Sequence, residues 1–461
     1  MHPPKSSKSA AGLAIFRILF GALCLFAMLR GLSLGWINTF YNEPTFFFSY
    51  WGFSWLKPLG PDAMCFLYIA AAMLAAMISL GLFFKIATLS FFLIFSYIEL
   101  CDVTNYLNHY YLVSLLAFLL FLSPAHAMWS LDAWRKKNIR STHVPLVFYT
   151  ILRLQLVIVY VFAAMAKCSS DWLLHARPMN IWLQARTEMP LLGAFFSESW
   201  VAFVFSWSGF LFDATIVLWL INKKTRKLAY LAVLGFHGLT ALLFPIGAFP
   251  WLMIISTTLF FAPDWPLKFF ANKRVFRFFK INNQDTSVER SKTRPSLKKP
   301  LFMCLVVVYF FFQIAIPLRH HFYSGNVLWT ELGMRWSWRV MASEKNADTQ
   351  YKVTFENSAH SISVSPNAYL TLRQAREMAG QPDLILQLGQ HIGHELKKKY
   401  RQNVSVYAHS FASLNGRPAT QLIDPSVNLM TLNNSLGSAP WVLRLPKETA
   451  SQAFALGGVL K

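Results

Sequence analysis

Acidic residues are scarce in this chain: 461 residues hold 21 Asp and Glu against 43 Lys and Arg, a formal charge of +22 at pH 7. Cysteine is scarcer still, with five residues (24, 65, 101, 168 and 304) and none beyond position 304. No Cys-x-x-Cys pair or Cys/His ligand spacing occurs, which excludes a zinc module or a disulfide framework as the basis of the fold. Glycine-rich phosphate loops and His-Glu-x-x-His helices are also missing, so nucleotide and zinc-protease chemistry have no foothold. No internal repeat points to an inverted-repeat transporter. The positive charge would suit nucleic acid, but it lies in short clusters between apolar runs rather than along one groove. That distribution belongs to loops flanking membrane spans, and nucleic acid is not an expected partner.

What the chain has in quantity is apolar surface: 55% hydrophobic residues, 16% aromatic, 42 Phe and only 14% charged. The fold class expected is an α-helical polytopic membrane protein with about nine spans and a C-terminal α+β extracytoplasmic domain. Candidate spans are 13–35, 63–83, 86–101, 110–128, 146–167, 199–221, 228–245, 248–262 and 301–318, of which 86–101 and 248–262 are short. Lys5 and Lys8 precede the first, which lacks a small-residue cleavage site and reads as an uncleaved span. With the N-terminus cytoplasmic, the clusters at Arg135–Arg140, Lys223–Lys227 and 264–299 all fall inside. The sparsely basic loops 36–62, 102–109 and 168–198 fall outside, and every loop agrees. The expected division is a membrane domain at 1–263, a basic cytoplasmic linker at 264–300, a last span at 301–319 and an exported domain at 320–461. In that domain Tyr351, Val353 and Phe355 alternate, as do Ile362 and Val364, predicting a strand pair. Leu384, Leu386, Leu388, Ile392 and Leu396 predict a helix over 383–400, and Asn415-Gly416 between apolar runs predicts a hairpin.

Few residues are equipped for chemistry. Lys167 closes the span that begins at Leu146, a stretch whose 21 residues to Ala166 contain the single charge Arg153. A lysine there either snorkels to the interface as an anchor or is desolvated enough to act as a base. The loop 101–109 carries Asp102, Thr104, Asn105, Asn108 and His109, and the topology puts His109 on the same membrane face as Lys167. A helix cap with an interfacial histidine is the plainer reading of that loop. His237 lies near the middle of a span and must face the bundle interior. Asp213 is interior likewise, and Arg153 is its expected structural partner.

These residues sit in segments that resemble the vitamin K-dependent γ-carboxylases, including bacterial members described as horizontally transferred transmembrane domain proteins. The resemblance runs through DVTNYLNHYYLVSLLAFLL (102–120), LRLQLVIVYVFAAMAKCSSDWL (152–173), FHGLTALLFPIGAFPW (236–251), PLRHHFYSGNVLWTELGMRWSWRVM (317–341) and LIDPSV (422–427). It implies that Lys167, shortly before Asp171-Trp172, is the base that deprotonates the reduced vitamin. It places Asn108 and His109 beside the reacting quinone and glutamate, and associates Trp329, Thr330, Ser337 and Trp338 with handling the glutamate. Asp102 and His237 are further candidates for holding substrate. The chain departs from the family at Met334, where the family has an aromatic, and at Ala166-Lys167, where animal members have two lysines. It also lacks the cysteine that would tie the exported domain to the membrane part, and the long C-terminal extension of animal members.

The function the resemblance implies is a carbon–carbon lyase of the membrane. Reduced vitamin K (menaquinol or phylloquinol) is oxidised by O2 to the epoxide, and the strong base so formed deprotonates a glutamate that CO2 then carboxylates. The partners expected are a quinol, a glutamate-containing protein or peptide, and membrane lipid of a bacterial inner membrane; no metal is needed. The alternatives are a quinol epoxidase without peptide carboxylation and a non-catalytic quinone or lipid carrier. The charge asymmetry yields a first test. Reporter fusions are expected to place residues 264–299 in the cytoplasm and 320–461 across the membrane, and finding both on one side overturns the crossing at 301–318.

Overall fold

The computed structural model describes residues 7–270, 299–356, 360–433, 437 and 439–446. A short strand, β1 (Ser7–Ser9), precedes α1 (Ala11–Ser33), α2 (Pro61–Leu80), α3 (Phe84–Leu100) and α4 (Asn108–Leu122). After the small α5 (Leu131–Arg135), β2 (His143–Pro145) pairs antiparallel with β1 and leads into α6 (Leu146–Lys167). Two short helices, α7 (Ser170–His175) and α8 (Met179–Gln184), connect to α9 (Ser199–Ile221), α10 (Arg226–Leu243) and α11 (Phe249–Thr257). Then come α12 (Trp265–Phe270) and α13 (Lys299–Leu318).

Each predicted span carries a helix, but among the described residues five helices are long and apolar enough to cross a membrane: Ala11–Ser33, Pro61–Leu80, Leu146–Lys167, Ser199–Ile221 and Pro300–Phe322. The stretches Asn108–Leu122 and Phe249–Phe260 are shorter apolar helices, so nine spans exceed what length and composition support. The predicted span 110–128 ends early because Pro124 bars the residue before it from the helical region, and Ser123 is extended at ψ 154°. The start of the expected linker carries local structure. Residues 265–270 are helical, and Asp264 pairs with Lys268 at 2.7 Å; the rest of that linker, 271–298, lies outside the described residues.

Helix faces built from Phe16, Phe20, Ala71, Ala75, Leu112, Leu116, Leu152 and Leu156 fuse into one apolar core. Gly21 lets α1 and α2 close up, since a Cβ there would stand 2.5 Å from the Ser79 backbone nitrogen. A charge inside this core is tolerated where carbonyls surround it: Arg17 is fully buried and donates to the backbone oxygens of Ile78, Ser79, Ala125 and Trp129.

The C-terminal region starts with α14 (Val327–Thr330) and then forms a four-stranded antiparallel sheet in the order β4-β3-β5-β6. The strands are β3 (Lys345–Phe355), β4 (Ser361–Val364), β5 (Val404–Leu414) and β6 (Thr420–Gln421). The expected pairing is present, with Tyr351 opposite Val364 and Val353 opposite Ile362. Between β4 and β5 run α15 (Leu372–Ala379), opened by a Thr371/Gln374 capping box, and α16 (Pro382–Tyr400). The predicted leucine stripe of α16 is buried with Tyr351, Val353 and Val406 in a second core. Asn415 and Gly416 both take positive φ (52° and 76°) and turn β5 toward β6, with Phe411 opposite Gln421.

That turn also docks the two regions. Arg417 grips Asp171 through two bonds of 2.7 and 2.6 Å, and Asn415 Nδ2 donates to the same carboxylate at 2.7 Å. Asp102 accepts from Gln374 at 2.9 Å, Arg373 donates to Thr104, and Gln387 exchanges two bonds with the Ser49 backbone. Trp182 Nε1 donates to Glu344 at 2.6 Å. Burial pushes the Asp171 carboxyl up, but its bonds from Arg417 and Asn415 outweigh that and hold it below its ordinary 3.8. A carboxyl lowered by folding contributes stability that is complete above its unfolded value and is lost as pH falls through the lower folded one. The Asp171–Arg417 contact is therefore expected to be insensitive to pH from 8 down to about 4 and to weaken below that. Arg417→Ala should cost about 3 kcal/mol, because nearly buried Asp171 loses the cation that pairs with it directly. Thermal unfolding and protease cleavage near residue 320 check both outcomes.

Candidate active site

A cavity of about 270 Å³ lies between α6, α9, α10 and α11 at the C-terminal end of α6. Its walls are apolar and aromatic, including Val159, Trp172, Trp182, Phe205, Phe236, Phe244 and Phe249. Its polar groups are few: Tyr160, Lys167, Ser208, Asp213, His237 and Thr240. Such a lining, mostly apolar with a few polar groups, is the ordinary make-up of a small-molecule site.

Lys167 does not snorkel. It is 6% exposed, and its Nζ donates to Asp213 Oδ2 at 2.8 Å, with the carbonyls of Val340 at 3.4 Å and Ala163 at 3.5 Å nearby. The ammonium also lies 5.5 Å from the ring centre of Trp172. Asp213 is thus the partner of Lys167 and not, as expected, of Arg153. The guanidinium of Arg153 instead donates to the carbonyls of Leu259 and Phe261. The reason is an axial shift of α9. Trp172 Nε1 donates to the Ser206 carbonyl at 2.8 Å, which puts Ser206 level with α7. Asp213, seven residues and about 10 Å further along α9, is then level with the end of α6 rather than its middle.

His237 projects from α10 into the same cavity, 3% exposed, with Nε2 3.2 Å from the Tyr160 hydroxyl. Edges of Phe212, Phe236 and Phe249 hold its ring. His109, the second residue of α4, is buried behind the cavity wall rather than in it. Its ring packs 6.1 Å from Phe249, and a Cβ on Gly247 would stand 3.6 Å from its Nε2. Gly247 takes φ +61° in the turn between α10 and α11, a conformation that suits glycine and brings the backbone close to His109. Asn108 accepts from the Tyr106 hydroxyl at 3.0 Å, and that hydroxyl accepts from the Trp336 backbone at 2.7 Å.

The remaining predicted residues are placed apart from the cavity. Asp102 belongs to the dock with Gln374. Trp329 is fully buried, donating to the Leu443 carbonyl at 2.7 Å, and Thr330 bonds the Asn326 carbonyl at 3.2 Å. Ser337 donates to the Met334 carbonyl, and Trp338 stacks on Tyr111 with centres 5.0 Å apart. This stretch acts as a frame, pinned by Arg335 to Asp383 at 2.6 Å and by Lys345 to Glu331 at 3.4 Å. What it delivers to the cavity is Val340 and Met341. Trp336, Trp338 and Met341 all have φ of 50–60°, a left-handed conformation costing roughly 1–3 kcal/mol each in residues other than glycine. These strained positions flank the point where Val340 and Met341 of the C-terminal region line the cavity.

Both halves of the chain match known families. Residues 6–265 match the model described as HTTM domain, and residues 298–448 match Vitamin K-dependent gamma-carboxylase, lumenal domain. The chain belongs to the vitamin K-dependent gamma-carboxylase family. No solved structure matches it. It is an integral membrane protein of that family, and its cavity draws on both matched regions.

Sequence reasoning missed Tyr160, Val340, Met341 and the Lys167–Asp213 pair. Tyr160 and Ala163 lie seven and four residues before Lys167, one face of one helix, and that spacing was available. The pair itself yields a test. Asp213→Asn leaves a buried ammonium without its counter-charge and should lose about 3–5 kcal/mol of stability. The double replacement Lys167→Met/Asp213→Leu should regain most of that loss in thermal unfolding, while restoring no turnover.

Proposed function

We propose that this chain is a vitamin K-dependent carboxylase of the membrane, with Lys167 as the base that takes the hydroxyl proton of the reduced vitamin. The observation that carries this is Lys167 itself, buried against Asp213 in an aromatic-lined cavity within a chain of this family. The cavity's apolar and aromatic walls suit the vitamin's planar ring system, and the Lys167–Asp213 and Tyr160–His237 pairs in its lining offer polar partners for a ring hydroxyl. When bound, reduced vitamin K together with O2 supplies a base strong enough to remove the γ-proton of a glutamate, to which CO2 adds.

The chain's own part is proton handling and exclusion of water. To accept a proton, the Lys167 ammonium must first release one, and Asp213 Oδ2 at 2.8 Å gives that proton a seat. His237 and the Tyr160 hydroxyl, 3.2 Å apart, orient a hydroxyl or ring oxygen at the cavity wall. Val340 and Met341 close the cavity, keeping water from a base it would quench. His109 and Gly247 fix the turn that carries Phe249. The charge pattern supports a cytoplasmic N-terminus and a C-terminal domain on the other side, with this cavity nearer the outer face.

One observation favours the narrower alternative, an epoxidase without peptide carboxylation. Trp329, Thr330, Ser337 and Trp338, assigned to the glutamate by resemblance, do not line the cavity, and Met334 departs from the family's aromatic. Epoxide formation from reduced vitamin K by purified protein, with and without a glutamate peptide and labelled CO2, separates the two. Epoxide with labelled peptide supports the carboxylase; epoxide alone supports the alternative; no epoxide leaves a carrier and ends both enzyme readings. Lys167→Arg is expected to form no epoxide, because arginine stays protonated at every accessible pH. Lys167→Ala should be equally inactive yet partly rescued by a small added amine, increasingly as pH rises. Near-normal epoxidation by Lys167→Arg ends the assignment.

A further inference from the structure

A second cavity, of about 470 Å³, lies at the opposite end of α6 from Lys167. Arg153 is fourteen residues before Lys167 on the same helix, about 21 Å along its axis, so the two cavities are separate. This one gathers Lys8 from β1, His143 from β2, Arg153 from α6, and Lys223 and Arg226 from the turn between α9 and α10. Among the described residues Asp264 is the one acidic residue in its lining, and it is already paired with Lys268 at 2.7 Å. Arg226 is close enough to Arg153 for the two guanidinium groups to repel.

These side chains are built into place. Arg153 donates through Nε and Nη2 to the carbonyls of Leu259 and Phe261, at 2.7 and 3.2 Å. Arg226 donates in the same way to Leu220 and Ile221, at 2.7 and 2.8 Å. Among the described residues neither Nη1 group is used in these bonds, while Ser7 and Ser9 add hydroxyls to the rim. A concave site with four basic side chains, and no unpaired acid among the described residues of its lining, lowers its energy by taking up an anion with several acceptor oxygens. Phosphate is the anion whose geometry suits paired guanidinium forks and flanking lysines. The elements meeting here come from both ends of the membrane region, so a bound anion would tie β1, α6, α9–α10 and the end of α11 together. The apolar rim, with Phe260, Phe261 and Pro263, gives acyl chains somewhere to leave.

We propose that this cavity is a phosphate-binding site on the cytoplasmic face, structural rather than catalytic, and that its ligand is an anionic phosphate group such as a phospholipid head. The charge pattern supports that face, where anionic lipid is attracted by juxtamembrane lysine and arginine. The full chain is reconstituted in nanodiscs of phosphatidylcholine, with or without phosphatidylglycerol, and its thermal unfolding is followed against lipid content. A parallel series titrates potassium phosphate into phosphatidylcholine discs at matched ionic strength. Phosphatidylglycerol is expected to raise the unfolding temperature. Lys8→Gln/Lys223→Gln should weaken that response about tenfold or more, at roughly a lysine's worth of surface attraction each. Lys223→Gln alone, in an exposed turn, should weaken it partly, guarding against a folding defect in the double variant. Lys224→Gln/Lys227→Gln removes the same charge beside the cavity and should leave the response within about twofold. Stabilisation by phosphate alone, lost with the cavity lysines, assigns the site to a free phosphate instead of a lipid head. Stabilisation by neither, or equal losses in the cavity and control variants, overturns the site.

Discussion

The structure turns on one buried ion pair. Lys167 and Asp213 are both taken out of water, and an isolated charge in an apolar cavity would cost several kcal/mol. Neither residue is tolerable there without the other, so the helices that carry them must keep one axial relationship. The bonds between α7 and α9, Trp172 to Ser206 and Trp207 to Leu173, set it. Under the proposed function the same constraint makes the pair useful. A cation and a carboxylate in contact, shielded from solvent, can pass a proton between them without water as intermediary.

The C-terminal domain is bound to this arrangement at close range. Asp171, held by Arg417 and Asn415, is four residues beyond Lys167, and the segment through Val340 reaches the lysine directly. A shift of the domain would therefore move the lysine's surroundings as well as its own sheet. The strained backbone at Trp336, Trp338 and Met341 is maintained because the Tyr111 stack and the Arg335–Asp383 pair fix it from both sides. The family's second matched region is thus part of the pocket rather than an appendage.

Two arginines, Arg17 fully buried and Arg153 half-buried, show a second way of keeping charge inside an apolar bundle. Arg17 and Arg153 are satisfied by backbone carbonyls at helix ends and turns, not by carboxylates. With so few acidic residues in the chain, carbonyl oxygens are the counter-dipoles at hand. That solution leaves net positive charge in place, which the Lys167 cavity cancels with Asp213 and the opposite cavity does not.

Much of this was legible in residue order. Apolar run length located the helices, and alternation in Tyr351–Phe355 located the strand that pairs with Ser361–Val364. Leucine spacing located α16, and Asn415-Gly416 located a turn, because each depends on contacts within a few residues. Quoted segments around Lys167, His109 and Trp338 carried the family resemblance that the two matched regions bear out. Pairing between distant side chains was not legible. Arg153 and Asp213 sit at similar depth if both helices are centred in a bilayer, and hydropathy cannot tell that α9 is displaced along its axis. Nor can it tell that His109 stands behind a turn while His237 faces the cavity, or that Trp329 is core and Met341 is wall. The sequence by itself determined which segments are helices and strands and which few residues are equipped for chemistry, since both follow from local pattern. Only the tertiary structure decided which of those residues meet, because that depends on how far one helix slides past another.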